Sequence, residues 1–471
     1  MKKIYLYNTL TRQKEEFLPL KKGQISFYYC GPTVYWIQHI GNLRGAVCAD
    51  LVNRSLSYFG YKVNMVRNYT DVGHLSSDED TGEDKMSQGA SREGLSPQAI
   101  AQRYIDIYES DTSYLNIWPP KFRPRATDYI KEDIALVKTL MDKGFAYQTE
   151  LAIYFSVAKF PDYNRLSGQD LSQNKSQAGR GEVIDPKKKD PADFALWFFK
   201  AGVHKKALQF WPSPFYSPLV KDGEGFPGWH LECSALAKKF LGDTIDIHMG
   251  GIEHIPVHHT NEIAQSETAN GQKFVNYWLH NAHLLVDNKK MSKSAGTSYS
   301  LAEIEEKRFM PLALRYFFLQ AHYRSNQNFT WEAMKAAQAG LESLYKRVRE
   351  LGRRAGRADK ALQKKFFEAL ANDFNVPATL ALVPEILKSN LAAKDKLATL
   401  YDFDRVWGLD LENIPPLEET VLPREVEEII AERETARRNK HFTRADELRW
   451  KLEELGYTVE DAAASSRVSK K

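Results

Sequence analysis

Cysteine is scarce: the 471-residue chain has three, Cys30, Cys48 and Cys233. So sparse and odd a set argues against a disulfide framework and leaves metal ligation, catalysis or packing as uses. Long apolar runs are missing too. Residues 312–319 form one of the longer stretches, and Arg315 interrupts it. Nothing approaches the roughly 20 apolar residues that cross a bilayer. Met1-Lys2-Lys3-Ile4-Tyr5 lacks the apolar core of a signal peptide, so a cytosolic protein with no membrane association is expected. There is no strong charge of one sign either. The 65 basic and 61 acidic residues leave +4, a weak pointer to a polyanionic partner. No internal repeat is visible.

What is present is a globular composition, with 43% hydrophobic and 27% charged residues. The length suggests roughly three domains. Residues 25–29 are a β-rich run ending at Cys30-Gly31-Pro32. Residues 47–59 read as a helix stopped by Gly60, and 63–66 as a second strand. Strand, glycine-containing turn, helix and strand open a nucleotide-binding α/β fold. Polar residues 76–97 read as a loop. From 122 to 224 prolines, lysines and aromatics mix, the texture of an inserted domain, and α/β character resumes from Gly228 to about 290. After Thr330 the chain turns helical: Met334, Ala337, Leu341, Leu344, Val348 and Leu351 make one apolar face. Thr330 is the expected N-cap and Gly352 lies beyond the end. Residues 415–471 form a small unit. It has one helix around Val426, Ile429 and Ile430, and a second opened by Thr443-Arg444-Ala445-Asp446 as a variant capping box. Leu448, Leu452 and Leu455 follow in that second helix. Cys48, within an apolar helical pattern, reads as packing.

Two segments suit phosphate. His39-Ile40-Gly41-Asn42 opens the first long helix, where backbone N–H groups and the helix dipole favour anions. Gly41 permits close approach, and His39 can donate to a phosphate oxygen; taken alone, such a histidine is an ordinary cap or packing residue. Lys290-Met291-Ser292-Lys293-Ser294 places two lysines and two hydroxyls in a loop followed by Gly296. Such a loop can close over a departing pyrophosphate; the bland alternative is a solvated basic turn. A metal shell can also be drawn. His258 and Glu262, four residues apart, share a helix face. With Cys30 and Cys233 they make a donor set suited to Zn²⁺, although scattered cysteines are commonly just buried.

In their order and strand context the two phosphate segments resemble the signature motifs of class I aminoacyl-tRNA synthetases, the first ending in Asn42 in place of histidine. Cys-Gly-Pro-Thr-Val-Tyr at 30–35, Gly-Trp-His-Leu-Glu-Cys-Ser at 228–234, His-His-x-Asn-Glu-Ile-Ala-Gln-Ser at 258–266 and His322-Tyr323-Arg324-Ser325 are similar to cysteinyl-tRNA synthetases over almost the whole chain. Thr260 stands where that family usually has glutamate. The resemblance implies an α/β fold with a Rossmann-type catalytic domain in two halves, 1–121 and 225–289. A connective domain, 122–224, is inserted between them. A linking region at 290–328 carries the second motif, followed by a helical bundle at 329–412 and an anticodon-binding domain at 413–471.

It also implies a reaction: ATP-dependent activation of L-cysteine, then transfer to the terminal adenosine of tRNA(Cys), by an enzyme expected to be a monomer. Zn²⁺, one per chain, would be held by Cys30, Cys233, His258 and Glu262, and Mg²⁺ would accompany ATP. His39, Lys290 and Lys293 are the implied catalytic residues. His39, Gly41, Asn42, Asp246, Gly250, Gly251 and Lys293 would bind ATP. Cys30, Thr70 and Trp229 would line the cysteine pocket, although Trp229 reads equally as a core aromatic. Arg437, Phe442 and Asp461 would read the anticodon, Phe442 replacing the family's tryptophan. On residues alone, the basic groups Arg433, Arg437, Arg438, Lys440 and Arg444 make a solvated helix face diluted by glutamates. Two rivals are a related ligase joining cysteine to an amino sugar, which lacks the C-terminal unit, and a non-enzymatic RNA-binding relative, which an intact 290–294 motif disfavours.

Overall fold

The structure, a computed structural model, describes residues 3–73, 85–169, 185–291, 296–414, 423–461 and 466–470. It divides into two units, Met1–Glu412 and Asn413–Lys471.

In the first unit a hairpin of β1 (Tyr5–Asn8) and β2 (Gln13–Glu16) leads into β3 (Gln24–Tyr29), α1 (Ile40–Tyr58) and β4 (Lys62–Arg67). Later in the chain come α5 (Trp229–Leu241), β9 (Ile245–Gly251), α6 (His258–Asn270) and β10 (Val275–Asn281). The four strands pair in the order β10-β9-β3-β4, all parallel. Parallel strands buried on both faces read as apolar runs, and β9 is buried throughout. Because every strand points the same way, the residues after their carboxyl ends converge on one edge, where ligands of such sheets bind.

Helix α1 starts at Ile40, where the 39–42 segment was expected to open it and ahead of the apolar run from 47, because the His39 side chain caps it. It is buried along nearly its whole length, charged residues included. Asp50 accepts from Arg54 Nε at 2.7 Å, Arg315 Nη2 at 2.6 Å and the Trp118 backbone N–H at 2.9 Å. Arg315 also donates to the carbonyls of Trp407 (2.6 Å) and Leu115 (2.8 Å). One carboxylate thus ties α1 to the helices beyond residue 310.

Between the halves of the parallel sheet lies an antiparallel sheet of β5 (Ala146–Gln148), β6 (Ala152–Phe155), β7 (Phe194–Phe199) and β8 (Gly225–Pro227). Phe194, Leu196 and Phe199 share a core with Leu136, Val137 and Leu140 of α4 (Ile130–Asp142). Ala195 and Phe198 pack on the other side with Tyr154 and Phe226. The polar segment 76–97, expected as a loop, contains α2 (Lys85–Glu93), which precedes α3 (Pro97–Tyr114). Its buried Met86, Gly89 and Ala90 follow i, i+3, i+4 spacing, which the surrounding polar residues mask. Residues 76–84 lie outside the described residues. The helix Trp331–Glu350 has Thr330 as N-cap, accepting from Ala333 N–H, and buries Met334, Ala337, Leu341, Leu344 and Val348. Cys48 packs in the core around β3.

The second unit has helices Arg424–Arg438 and Phe442–Glu454 and a hairpin of Tyr457–Asp461 with Ser466–Lys470. Val426, Ile429, Leu448 and Leu452 form its core with Tyr457 and Val459. The expected capping box at 443–446 does not form. The N-cap lies two residues earlier, at His441, with no side-chain cap bond. Among the described residues no helix is long and apolar enough to cross a membrane.

Removing Asp50 would leave two buried guanidiniums uncompensated. Asp50→Ala is expected to cost about 3–5 kcal/mol, read by urea unfolding. A loss below about 1 kcal/mol would show that the pair contributes little beyond a surface bridge.

Candidate metal and nucleotide site

A cavity of about 460 Å³ lies at the carboxyl edge of the parallel sheet. Tyr29 from β3, Cys30 just after it, Asn68 after β4, Gly251 from β9 and Asn281 from β10 all line it. At one end four donor residues meet. Cys30 follows β3; Cys233 lies one turn into α5; His258 and Glu262 lie one turn apart at the start of α6. Their ligand atoms all lie within 4.8 Å of one another, and all four residues are buried. Cys30 Sγ is 3.9 Å from Cys233 Sγ, and His258 Nε2 is 3.0 Å from Glu262 Oε1. Two thiols, an imidazole and a carboxylate at this spacing fit the tetrahedral demand of zinc.

The electrostatics fit a cation as well. Burial pushes the Glu262 carboxyl up, but His248 and His258 beside it win and hold it well below the usual carboxylate range. Burial pulls His258 down, yet Glu262 and Cys233 push it up to about 10. A positive charge is stabilised between these groups. Cys30 goes the other way: burial, then Cys233 and Glu262, push its thiol up.

A second donor set that sequence reasoning missed shares two members: Cys30, His248, His259 and Glu262. His248 Nε2 is 2.8 Å from Glu262 Oε2, and His259 Nε2 is 3.3 Å from Cys30 Sγ. The cavity separates the two sets. Cys30, Cys233 and His258 line it, whereas His248 and His259 are sealed beneath. Only a metal on the first set would face a substrate. His259 and His248 then support Cys30 and Glu262 from behind. The signal for His259 was available, since three residues to Glu262 also share a helix face; nothing in the sequence singled out His248.

The described residues of the two phosphate segments line the same cavity. His39 Nδ1 accepts from the backbone N–H of Gly41 (3.1 Å) and Asn42 (3.3 Å). The first N–H groups of α1 are therefore occupied by this ring and not left for an anion. With Nδ1 accepting, the ring proton of the neutral imidazole sits on Nε2. Ile40 N–H donates to Tyr299 O at 2.8 Å, so the chain after the second motif is bonded to the first. A Cβ on Gly41 would lie 2.1 Å from the Met291 methyl, so the missing side chain makes room for the second motif. His39, Gly41, Asn42, Lys290 and Met291 all line the cavity; Lys293 lies outside the described residues.

Thr70 and Trp229 line the metal end. Trp229 stacks on His258, centroids 4.6 Å apart and planes at 22°. Asp246 is a correction. It stands at the amino end of β9, away from the cavity, and accepts from Leu20 N–H (2.6 Å), Ser26 N–H (2.8 Å) and Ser26 Oγ (2.7 Å). Its carboxylate secures a strand start. Gly250 faces His254 and His259, not the cavity, while Gly251 lines it. Glu253, which the sequence reading passed over, lines the cavity close to Gly251.

In the second unit, Arg437 is half-buried in the last turn of its helix and Phe442 is 62% exposed. Asp461 ends its strand. Arg433 is buried and Arg444 is paired with Glu432 and Glu447, so neither adds to a free basic face. Trp450, 66% exposed, was not anticipated.

Comparison with known proteins gives the fold and the family. A methionyl-tRNA synthetase of Mycobacterium tuberculosis bound by methionyl-adenylate shares the fold over 82% of this chain and 90% of its own, at 16% identity and a TM-score of 0.55. An Agrobacterium radiobacter LeuRS–tRNA–LeuAMS complex does so over 83% and 84%, at 11% identity and a TM-score of 0.57. Residues 16–339 match the family described as tRNA synthetases class I (C) catalytic domain. The first unit therefore has the class I synthetase fold. Residues 419–466 match the cysteinyl-tRNA ligase anticodon binding domain. Cysteine–tRNA ligase 1 of Burkholderia lata is 42% identical over 99% of this chain and 96% of its own. The cysteine–tRNA ligase of Treponema denticola is 39% identical over 98% and 99%. The chain belongs to the cysteine–tRNA ligase family.

The two donor sets can be told apart by chelator competition. Cys233→Ser and His258→Ala should each abolish tight metal binding, while His259→Ala should keep it at roughly 10–100-fold lower affinity. The reverse pattern for the two histidines would move the metal to the sealed set.

Proposed function

We propose that the chain activates L-cysteine with ATP and transfers it to the 3′-terminal adenosine of tRNA(Cys), selecting cysteine through a zinc ion on Cys30, Cys233, His258 and Glu262. The observation that carries this is one cavity lined by Cys30, Cys233 and His258 of the donor cluster and by His39, Gly41, Asn42, Lys290 and Met291 of the two phosphate segments. Zinc, when bound, supplies a site for a thiolate that a serine hydroxyl, harder and far less acidic, fills poorly. That chemistry is needed because pocket contacts alone discriminate so small a difference by only about 1–3 kcal/mol.

The chain's own groups do the rest. Thr70 Oγ donates to Glu232 Oε2 at 2.8 Å and accepts from Asn68 Nδ2 at 3.2 Å. Its remaining lone pair suits the substrate ammonium. The Trp229 ring closes the pocket side. The cysteine carboxylate is itself the nucleophile: its oxygen bonds to the α-phosphorus of ATP as the bond to pyrophosphate breaks, and no protein base is required. His39 donates from Nε2 to a phosphate oxygen. Lys290 and Lys293 neutralise the departing pyrophosphate, a charge that Mg²⁺ accompanying ATP would share. Gly41, Asn42 and Gly251 shape the nucleotide end, and Glu253 is placed to accept from ribose hydroxyls. In the second step the oxygen of the terminal adenosine 2′-hydroxyl bonds to the carbonyl carbon, the bond from that carbon to the phosphate oxygen breaks, and AMP leaves with the hydroxyl proton.

The match of residues 419–466 to an anticodon-binding domain favours tRNA over a small amine as acceptor. Arg437, Phe442 and Asp461 are assigned to anticodon contact. The division into 1–121, 122–224, 225–289, 290–328, 329–412 and 413–471, a cytosolic location and a monomer complete the proposal.

Cysteine-dependent ATP–pyrophosphate exchange by zinc-loaded protein tests the reading; no exchange would sink it. Lys293→Ala should slow exchange about 10²–10³-fold with cysteine binding spared, as for loss of one transition-state donor. An equal loss in binding would make Lys293 structural. Arg437→Ala should weaken tRNA charging and leave exchange intact; loss of both would remove it from an anticodon role.

A further inference from the structure

Helix α2 was expected to be loop, and the motifs described so far give it no task. Lys85, Gly89 and Arg92 follow one another at steps of four and three, which puts all three on one helix face. Each cation of that face lies over a tryptophan of the cavity wall. Lys85 Nζ is 6.0 Å from the Trp229 ring centroid, and the Arg92 guanidinium carbon is 3.7 Å from that of Trp36. Both tryptophans line the cavity. Between the two cations, a Cβ on Gly89 would come within 3.2 Å of Tyr35 O, so the helix lies closer to the 35–36 backbone than a side chain would comfortably allow. Arg92 also donates to Tyr35 O at 3.0 Å. Glu93 holds Arg92 at 2.8 Å and Arg103 of α3 at 3.0 Å, which anchors this end.

A cation over an indole is the strongest of the side-chain cation–π pairs. It orients the ring as well as holding it. Trp229 passes that orientation on, because it stacks on His258, the candidate metal ligand. We infer that α2 is a positioning element of the amino-acid pocket, in which Lys85 acts through Trp229 to set the cysteine subsite while Arg92 and Gly89 fix the helix at Tyr35 and Trp36, also of the cavity wall. The inference rests on the reading of Trp229 as a wall of the cysteine pocket. It adds a residue that sets the pocket without being a metal ligand or a member of either phosphate segment.

A double-mutant cycle on Lys85 and Trp229 tests it, with calorimetric titration of cysteine into the zinc-loaded full chain without ATP. Lys85→Met should weaken cysteine binding roughly three- to tenfold, the size of one cation–π contact. Lys85→Arg should restore it, with metal content unchanged in both. In the Trp229→Leu background, Lys85→Met should produce no further loss, because Lys85 acts through the ring. Full additivity of the two losses, or unaltered affinity in Lys85→Met, would overturn the inference. Absence of cysteine binding by the unmutated zinc-loaded protein would instead remove the cysteine-pocket reading beneath it.

Discussion

Glu262 is sealed from solvent, and its two oxygens are taken from opposite sides, by His258 at 3.0 Å and His248 at 2.8 Å. A buried carboxylate left alone would be protonated or would cost several kcal/mol. The two imidazoles prevent that, and Cys30 Sγ lies 3.9 Å from Glu262 Oε1. Because burial makes every unpaired charge here expensive, the four groups must arrive together. That constraint explains why Cys30 follows a strand, why Cys233 sits in the first turns of one helix and why His258 and Glu262 open another.

The parallel sheet is the device that brings them together. Cys30, Asn68, Gly251 and Asn281 come from four different strand exits, separated by up to some 250 positions in the chain. The antiparallel insert leads directly into α5 and so into Trp229 and Cys233. The hydrogen bond from Ile40 to Tyr299 brings the second phosphate segment to the first. The donor cluster and the two segments proposed for phosphate then share one cavity while using separate residues.

Much of this was legible in the sequence because periodicity and local spacing are local signals. The strands at 24–29 and 62–67, the Thr330 cap and the one-turn step from His258 to Glu262 are written in neighbouring residues. Cys30 and Cys233 are not neighbours, and only resemblance to a family joined them before the structure did. Asp246 shows the converse failure: an acid five positions before Gly251 was placed beside it, but a strand rises about 3.3 Å per residue, which puts the two at opposite edges of the sheet. Helix α2 was hidden because its apolar face is only Met86, Gly89 and Ala90 amid polar residues. The start of the last helix was misread because Thr443 looked like a cap, whereas backbone geometry begins the helix at Phe442.

The central claim is that the metal on Cys30, Cys233, His258 and Glu262 receives the substrate sulfur. Cobalt(II) substitution makes this visible, because thiolate ligands give sulfur-to-cobalt charge-transfer bands in the near ultraviolet. The account predicts bands from two protein thiolates that intensify when cysteine is added and stay unchanged with serine. Identical spectra with cysteine, serine and no amino acid would contradict it.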